Sequence, residues 1–167
     1  AGVFTIASPD SATDRTLTLP DETGTLQIGG PAFSAYASAA QTLSSNTATK
    51  IQFQTEEYDT NSAFDKDTNY RFQPLVSGYY LLDCALQVGV SFTTGTVYIY
   101  KNGLVYKTGM ATGGVAGTTG TFAMACQVFL NGSTDYVECY GIISTGQALA
   151  ASANGTYFQA AMVRSAT

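Results

Sequence analysis

Histidine is absent from this 167-residue chain. Its absence removes the commonest general base, the commonest zinc ligand and every catalytic triad built on imidazole. Charge is scarce as well: Lys, Arg, Asp and Glu make up 11% of residues against 45% apolar ones, so the surface must be dressed in Ser, Thr, Asn, Gln and Gly. Such neutral polar surfaces are typical of β-rich extracellular or virion proteins. The net charge of −5 would repel a phosphate backbone, which excludes nucleic acid as the expected partner. The three cysteines, Cys84, Cys126 and Cys139, have no CxxC spacing, and an odd count cannot complete a disulfide framework. Each sits in an apolar run and is expected as a buried reduced thiol, which fits assembly in a reducing cytoplasm. No apolar run approaches the roughly 18 residues of a membrane span, and the first residues lack the charged start and apolar core of a signal peptide, so membrane insertion is not expected. The stretch "GMATGGVAGTTG", Gly109 to Gly120, has no Lys after a Gly and no following helix; it reads as a surface loop, not a phosphate cradle. No cofactor is expected.

What is present is one domain's worth of strand signals. A chain this long buries roughly two-thirds of its unfolded surface on folding. Residues 1–30 stand apart as an extended arm, with alternating segments at Thr16–Leu19 and Thr25–Ile28 around a Pro20–Gly24 turn, a hairpin-like pattern too small to be stable alone. Residues 31–167 form the head. Its expected strands are Phe33–Ala37, Thr49–Phe53, Tyr70–Phe72, Gly78–Phe92, Thr96–Lys101, Leu104–Met110, Thr121–Leu130, Asp135–Ile143 and Thr156–Arg164. Turns are expected at "YKNG", "LNGS" and "ANG". Helical periodicity is missing, and many short strands at this spacing point to a β-sandwich or jelly roll.

The densest feature is "FQTEEYDTNSAFDKDTNYRFQPLVSGYY", Phe53 to Tyr80, with Glu56, Glu57, Asp59, Asp65 and Asp67 among regularly placed aromatics. Asp65, Asp67 and Asn69 alternate as in an EF-hand, but Tyr70 stands where Gly is needed and Val76 where a bidentate Glu should be. Asp65 and Asp67 are kept only as candidate oxygen ligands of a looser cation site. Paired carboxylate catalysis needs a cleft that adjacency in sequence does not supply, and Lys50, Lys66 and Arg71 offer simpler ion pairing, so the five acids are expected on a solvated loop.

The aromatics carry more information. Phe53, Asp59, Phe64, Phe72, Gly78 and Tyr80, in that order, resemble the signature of the C1q-like family, the globular heads related to the tumour necrosis factor fold. The pattern departs in three places: one extra residue before Phe72, Leu82 where Phe is usual, and Cys84 where an aromatic is usual. "AFSAYAS" resembles the family's first strand, "VYIYKNG" its central hairpin, "VFLNGSTDYVECY" the penultimate pair and "TYFQAAMV", containing Phe158, the closing strand. The resemblance implies an all-β jelly-roll sandwich of about ten antiparallel strands, assembled as a homotrimer with one sheet around the threefold axis. The arm sequence "TLTLPDETGTL" resembles short elements of tailed-bacteriophage fibre and appendage proteins.

Together these resemblances imply a non-enzymatic virion protein, the trimeric head of a tail fibre that binds a host-surface receptor, a glycan or an outer-membrane component. Thr93, Thr94, Thr112, Thr118 and Thr119 are the candidate contact residues, while residues 1–30 would meet other virion proteins. The alternative is a capsid decoration protein that clamps the phage head through its arm. A calcium-dependent lectin-like module and a carboxylate hydrolase using Glu57 or Asp65 are the remaining readings.

Overall fold

The computed structural model describes residues 29–89, 92–112 and 119–166. The expected arm, apart from its last two residues, lies outside the described residues. Thirteen strands follow in order, with no helix among the described residues: β1 (Ala32–Ala37), β2 (Gln41–Leu43), β3 (Thr49–Lys50), β4 (Thr55–Asp59), β5 (Phe64–Asp65), β6 (Arg71–Phe72), β7 (Gly78–Val88), β8 (Thr94–Lys101), β9 (Leu104–Thr112), β10 (Gly120–Leu130), β11 (Val137–Ile143), β12 (Gln147–Leu149) and β13 (Ser152–Ser165). They form two antiparallel sheets. One has the order β2-β12-β7-β13-β1-β4 with β10 on the far side of β7, and the other has the order β5-β6-β11-β8-β9 with β3 also on β11. This is a jelly-roll sandwich, and its count exceeds the expected ten because β2, β3, β5, β6 and β12 are only two or three residues long.

Period-two alternation builds the core. On β7, Tyr80, Leu82, Cys84, Leu86 and Val88 turn inward, and Val97 and Ile99 of β8 and Val137, Cys139 and Ile143 of β11 meet them from the facing sheet. Phe33 is the hub. Its ring stacks on Phe64 (4.5 Å between centroids, 7° between planes) and on Phe72 (4.7 Å), and Phe158 meets it edge-on at 5.1 Å. Phe53 adds to Phe158 at 5.7 Å, and Phe72 passes the cluster on to Tyr80 at 5.4 Å. The signature aromatics therefore form one contiguous cluster, joined through a residue outside the signature. Leu82 and Cys84 are as buried as aromatics would be, and Cys84 lies against Cys139 across the core. All three thiols are reduced, with Cys126 half-buried.

Several expectations need correction. The five acids do not share the expected solvated loop: Glu56, Glu57 and Asp59 belong to β4, an edge strand paired with β1, whose charges mask its alternation in the sequence. Ala153–Gly155 is not a turn between strands. It lies in β13, where the register against β1 jumps from Tyr157 to Ser152 and the intervening residues bulge out. Gly78 does not serve a turn either; a side chain there would collide with Met162 and with the Arg164 carbonyl of β13 (2.5 Å). The "YKNG" expectation holds, since Asn102 and Gly103 both take positive φ in the two-residue turn joining β8 to β9.

Phe33→Ala is expected to cost about 3–5 kcal/mol, because it empties the centre of the ring cluster, while Leu75→Ala on an exposed loop should stay within about 0.5 kcal/mol. Chemical denaturation of the two variants checks both values.

Candidate functional site

The acidic segment resolves into separate structural tasks. Asp59 caps the turn after β4, accepting hydrogen bonds from the backbone N–H of Asn61 (3.2 Å) and Phe64 (2.8 Å). Asp65 does the same after β5: one oxygen accepts from the N–H groups of Asp67 (3.2 Å) and Thr68 (2.9 Å), the other from the Asn69 amide (2.6 Å). The Thr68 N–H leads the interactions that hold the Asp65 carboxyl below its ordinary value. Asp67 points into solvent and pairs with Lys66 at 2.9 Å. The two candidate cation ligands are thus engaged with nitrogen donors of their own turn, and no cluster of three His, Cys, Asp or Glu side chains is drawn together among the described residues. Glu57 faces Ser34, whose hydroxyl donates to it at 2.6 Å.

Of the threonines singled out in the sequence, Thr93, Thr94, Thr112 and Thr119 gather at one end of the sandwich. The chain enters β1 beside Ala161 and Leu81, close to the Gly78 end of β7, and runs toward the Val88 end. At that second end Thr94 pairs with Thr112, the backbone N–H groups of Thr93 and Thr94 both donate to the Ser144 hydroxyl (3.0 and 3.1 Å), and Thr119 precedes Gly120, the partner of Val88. Thr93 and Thr119 are exposed. Thr118 lies outside the described residues. Ser45 and Asn46, unforeseen in the sequence, join this end by donating to the Ser144 and Ile143 carbonyls at 2.7 and 2.8 Å.

A broader surface was missed. The outward face of the seven-stranded sheet carries Tyr79, Leu81 and Phe129, each 39–45% exposed, together with Ala123, Ala125, Ala161 and Val163. Tyr79 and Phe129 face each other in register with centroids 5.4 Å apart. One polar row crosses this face: Gln159 donates to both Asp83 oxygens (3.0 and 2.8 Å), Ser34 lies beside Gln159, and Ser34 donates on to Glu57. A shallow depression of about 460 Å³ opens over Asp83, Met124, Tyr157 and Gln159. The alternation of "GYYLLDCALQV" signalled this face, since Tyr79 and Leu81 are apolar at positions that point away from the core. An ordinary half-solvated sheet would be polar there.

Catalytic chemistry finds little support among the described residues. Burial pushes the Cys126 thiol up to about 11 and the Tyr80 phenol to about 12, and burial with the neighbouring Cys84 raises Cys139 well above the ordinary thiol value. None is primed as a nucleophile or base.

No protein-family model matches the chain, and no curated protein matches it. Solved structures do. The crystal structure of murine APRIL at pH 8.0 superposes with a TM-score of 0.63 at 10% identity, covering 80% of this chain and 98% of that one. The structure of Eiger TNF from S. frugiperda gives 0.66 at 9% identity, covering 83% and 96%. The chain shares the TNF-like jelly-roll fold. At such identities the likeness reaches the backbone arrangement and no further.

Because the folded Asp65 carboxyl titrates below its ordinary value, its stabilising effect is complete above that ordinary value and is lost as pH falls through the lower, folded one. Protection of the Thr68 amide relative to its intrinsic exchange rate should fall over that acid range, and Asp65→Ala should remove this fall in protection. At neutral pH a thiol reagent should label the native chain far more slowly than the denatured one.

Proposed function

We propose that this chain is the head of a bacteriophage appendage, a non-enzymatic homotrimer that binds a receptor on the host surface. The observation that carries the trimer is the outward face of the seven-stranded sheet. Leu81, Tyr79, Phe129 and the alanines around them form an apolar surface that a solitary domain would leave in water, and such contiguous surfaces mark association sites. Small residues beside large ones let a second copy approach closely. The Asp83–Gln159–Ser34–Glu57 row supplies polar groups that must be matched, which favours one registry over sliding. The sequence resemblance to C1q-like heads implies that one sheet lies around the threefold axis, and the seven-stranded sheet has the apolar outward face for that place.

With that sheet covered, two surfaces stay open: the end bearing Thr93, Thr94 and Thr119, and the outer face of the second sheet. The chain enters toward the opposite end from the threonines, so an N-terminal stalk would leave those residues foremost. The phage setting rests on the arm sequence "TLTLPDETGTL" and on the charge-poor, Ser/Thr/Gly-rich surface. Three linked copies turn a weak contact into firm attachment by raising the local concentration of sites.

Sedimentation of the isolated chain is expected to give a particle of three chains, and Leu81→Asp, which buries an unpaired carboxylate in the contact, should yield a folded monomer or an aggregate. Fluorescently tagged trimer should adsorb to bacterial cells. Binding to empty phage heads with cells left bare would instead establish the capsid-decoration reading.

A further inference from the structure

The outer face of the six-stranded sheet holds a two-row array that neither the core nor the proposed trimer contact uses. In one row Arg71 of β6 is opposite Glu138 of β11, which is opposite Tyr100 of β8. In the next row Lys50 of β3 is opposite Tyr140 of β11, which is opposite Tyr98 of β8. Neighbouring strands stand about 4.8 Å apart and successive outward residues of one strand about 6.7 Å apart, so the six side chains tile one compact patch.

Its chemistry is unlike the rest of the surface. The Tyr100 and Tyr140 rings stack at 4.1 Å with 26° between planes, and Tyr98 meets Tyr100 edge-on at 6.2 Å. Glu138 is 4% exposed and held under Lys50 by an ion pair of 2.5 Å, while the same ammonium donates to the Asn69 carbonyl at 3.3 Å. Arg71 differs from its neighbours. Its guanidinium lies over the Tyr136 ring at 4.5 Å, and it forms no ion pair among the described residues. The Asp65 carboxylate opposite it in register is already engaged by Thr68, Asp67 and Asn69. A guanidinium stacked by one face keeps its planar donor fork, which matches a carboxylate.

We infer that this patch is a binding site for a carboxylate-bearing polysaccharide of the uronic-acid class, with Arg71 taking the carboxylate and the ring edges and hydroxyls of Tyr98, Tyr100 and Tyr140, whose faces are packed against one another, lining the place of the sugar rings. The assignment rests on the receptor-binding reading above and gives that receptor a chemical class. Lys50 is neutralised by Glu138, and the Arg71 guanidinium, without an ion pair among the described residues, selects a carboxylate-bearing sugar over a neutral one against the chain's net charge of −5. An acidic peptide fits less well, because extended peptides gain affinity by pairing with a free strand edge, and β11 and β8, at the centre of the patch, have strands hydrogen-bonded on both sides. Hydroxyl-bearing aromatic edges beside one fixed charged group suit a ring rich in hydroxyls.

The test uses the purified full chain, with oligogalacturonate and oligomannuronate as probes, a neutral oligoglucoside and polyglutamate as comparators, and calorimetry alongside tyrosine-ring NMR. Both uronates are expected to bind at millimolar or lower concentration and to shift the ring signals of Tyr98, Tyr100 and Tyr140. Arg71→Gln should weaken binding at least about tenfold, the equivalent of one charge-assisted hydrogen bond. Tyr98→Ser should weaken it similarly, with unchanged melting temperature and oligomeric mass certifying both variants. The ring shifts in the unaltered chain decide the matter should either variant misfold. No binding of either uronate, unchanged affinity in a folded Arg71→Gln, or equal binding of polyglutamate would overturn the inference. Cell adsorption separates the two levels: adsorption that survives both Arg71→Gln and added uronate removes this site and keeps the receptor-binding reading, whereas absence of adsorption removes the reading itself.

Discussion

The ring stack centred on Phe33 is the contact on which the rest of the molecule depends. It joins β1 to β5 and β6 by face-to-face packing and to β13 by an edge contact, so one side chain ties the two sheets together near the entry of the chain. β5 and β6 are only two residues long, and a pair of that length has almost no ladder of its own. Phe64 and Phe72 hold these strands in place through their rings. The Asp59 and Asp65 caps then fix the turns on either side of β5, which explains why the acids are interleaved with the aromatics in sequence.

Once the core claims one side of every strand, the opposite side is free to specialise, and the two sheets do so differently. The seven-stranded sheet presents aliphatic, aromatic and small residues crossed by a single polar row. The six-stranded sheet presents tyrosines with paired and stacked charges. The period-two rule gives each face its own residues at no cost to the core, so one sandwich can carry the proposed assembly surface and the proposed recognition surface back to back. Neither surface needs a deep cleft.

Much of this was legible in the sequence. Long strands with clean alternation, such as β7, β8, β10 and β11, stand where the pattern placed them, and the order Phe53, Phe64, Phe72, Gly78, Tyr80 led to the jelly roll whose backbone is shared with murine APRIL and Eiger TNF. Short strands were not legible, because two or three residues carry no periodicity, and β4 was hidden by its charges. Phe33 could be placed in a strand but not at the hub, since its partners lie more than thirty residues away in sequence. The tyrosine patch draws on four strands, and only "VYIYK" showed part of it, as aromatics spaced two apart.

The polar row on the seven-stranded face bears on why that surface is more than a sticky patch. Asp83 and Glu57 lie at opposite ends of a chain of contacts that runs through Gln159 and Ser34 across β7, β13, β1 and β4. Covering two carboxylates costs free energy unless each is matched, and the amide and hydroxyl between them supply only part of what they need. A partner that slides by one residue would set apolar groups over these carboxylates and leave them desolvated and unpaired. In the proposed trimer Leu81 and Phe129 would provide the drive to associate, while Asp83 and Glu57 would penalise every arrangement except those that complete their hydrogen bonds. Affinity and registry would then come from different rows of the same sheet.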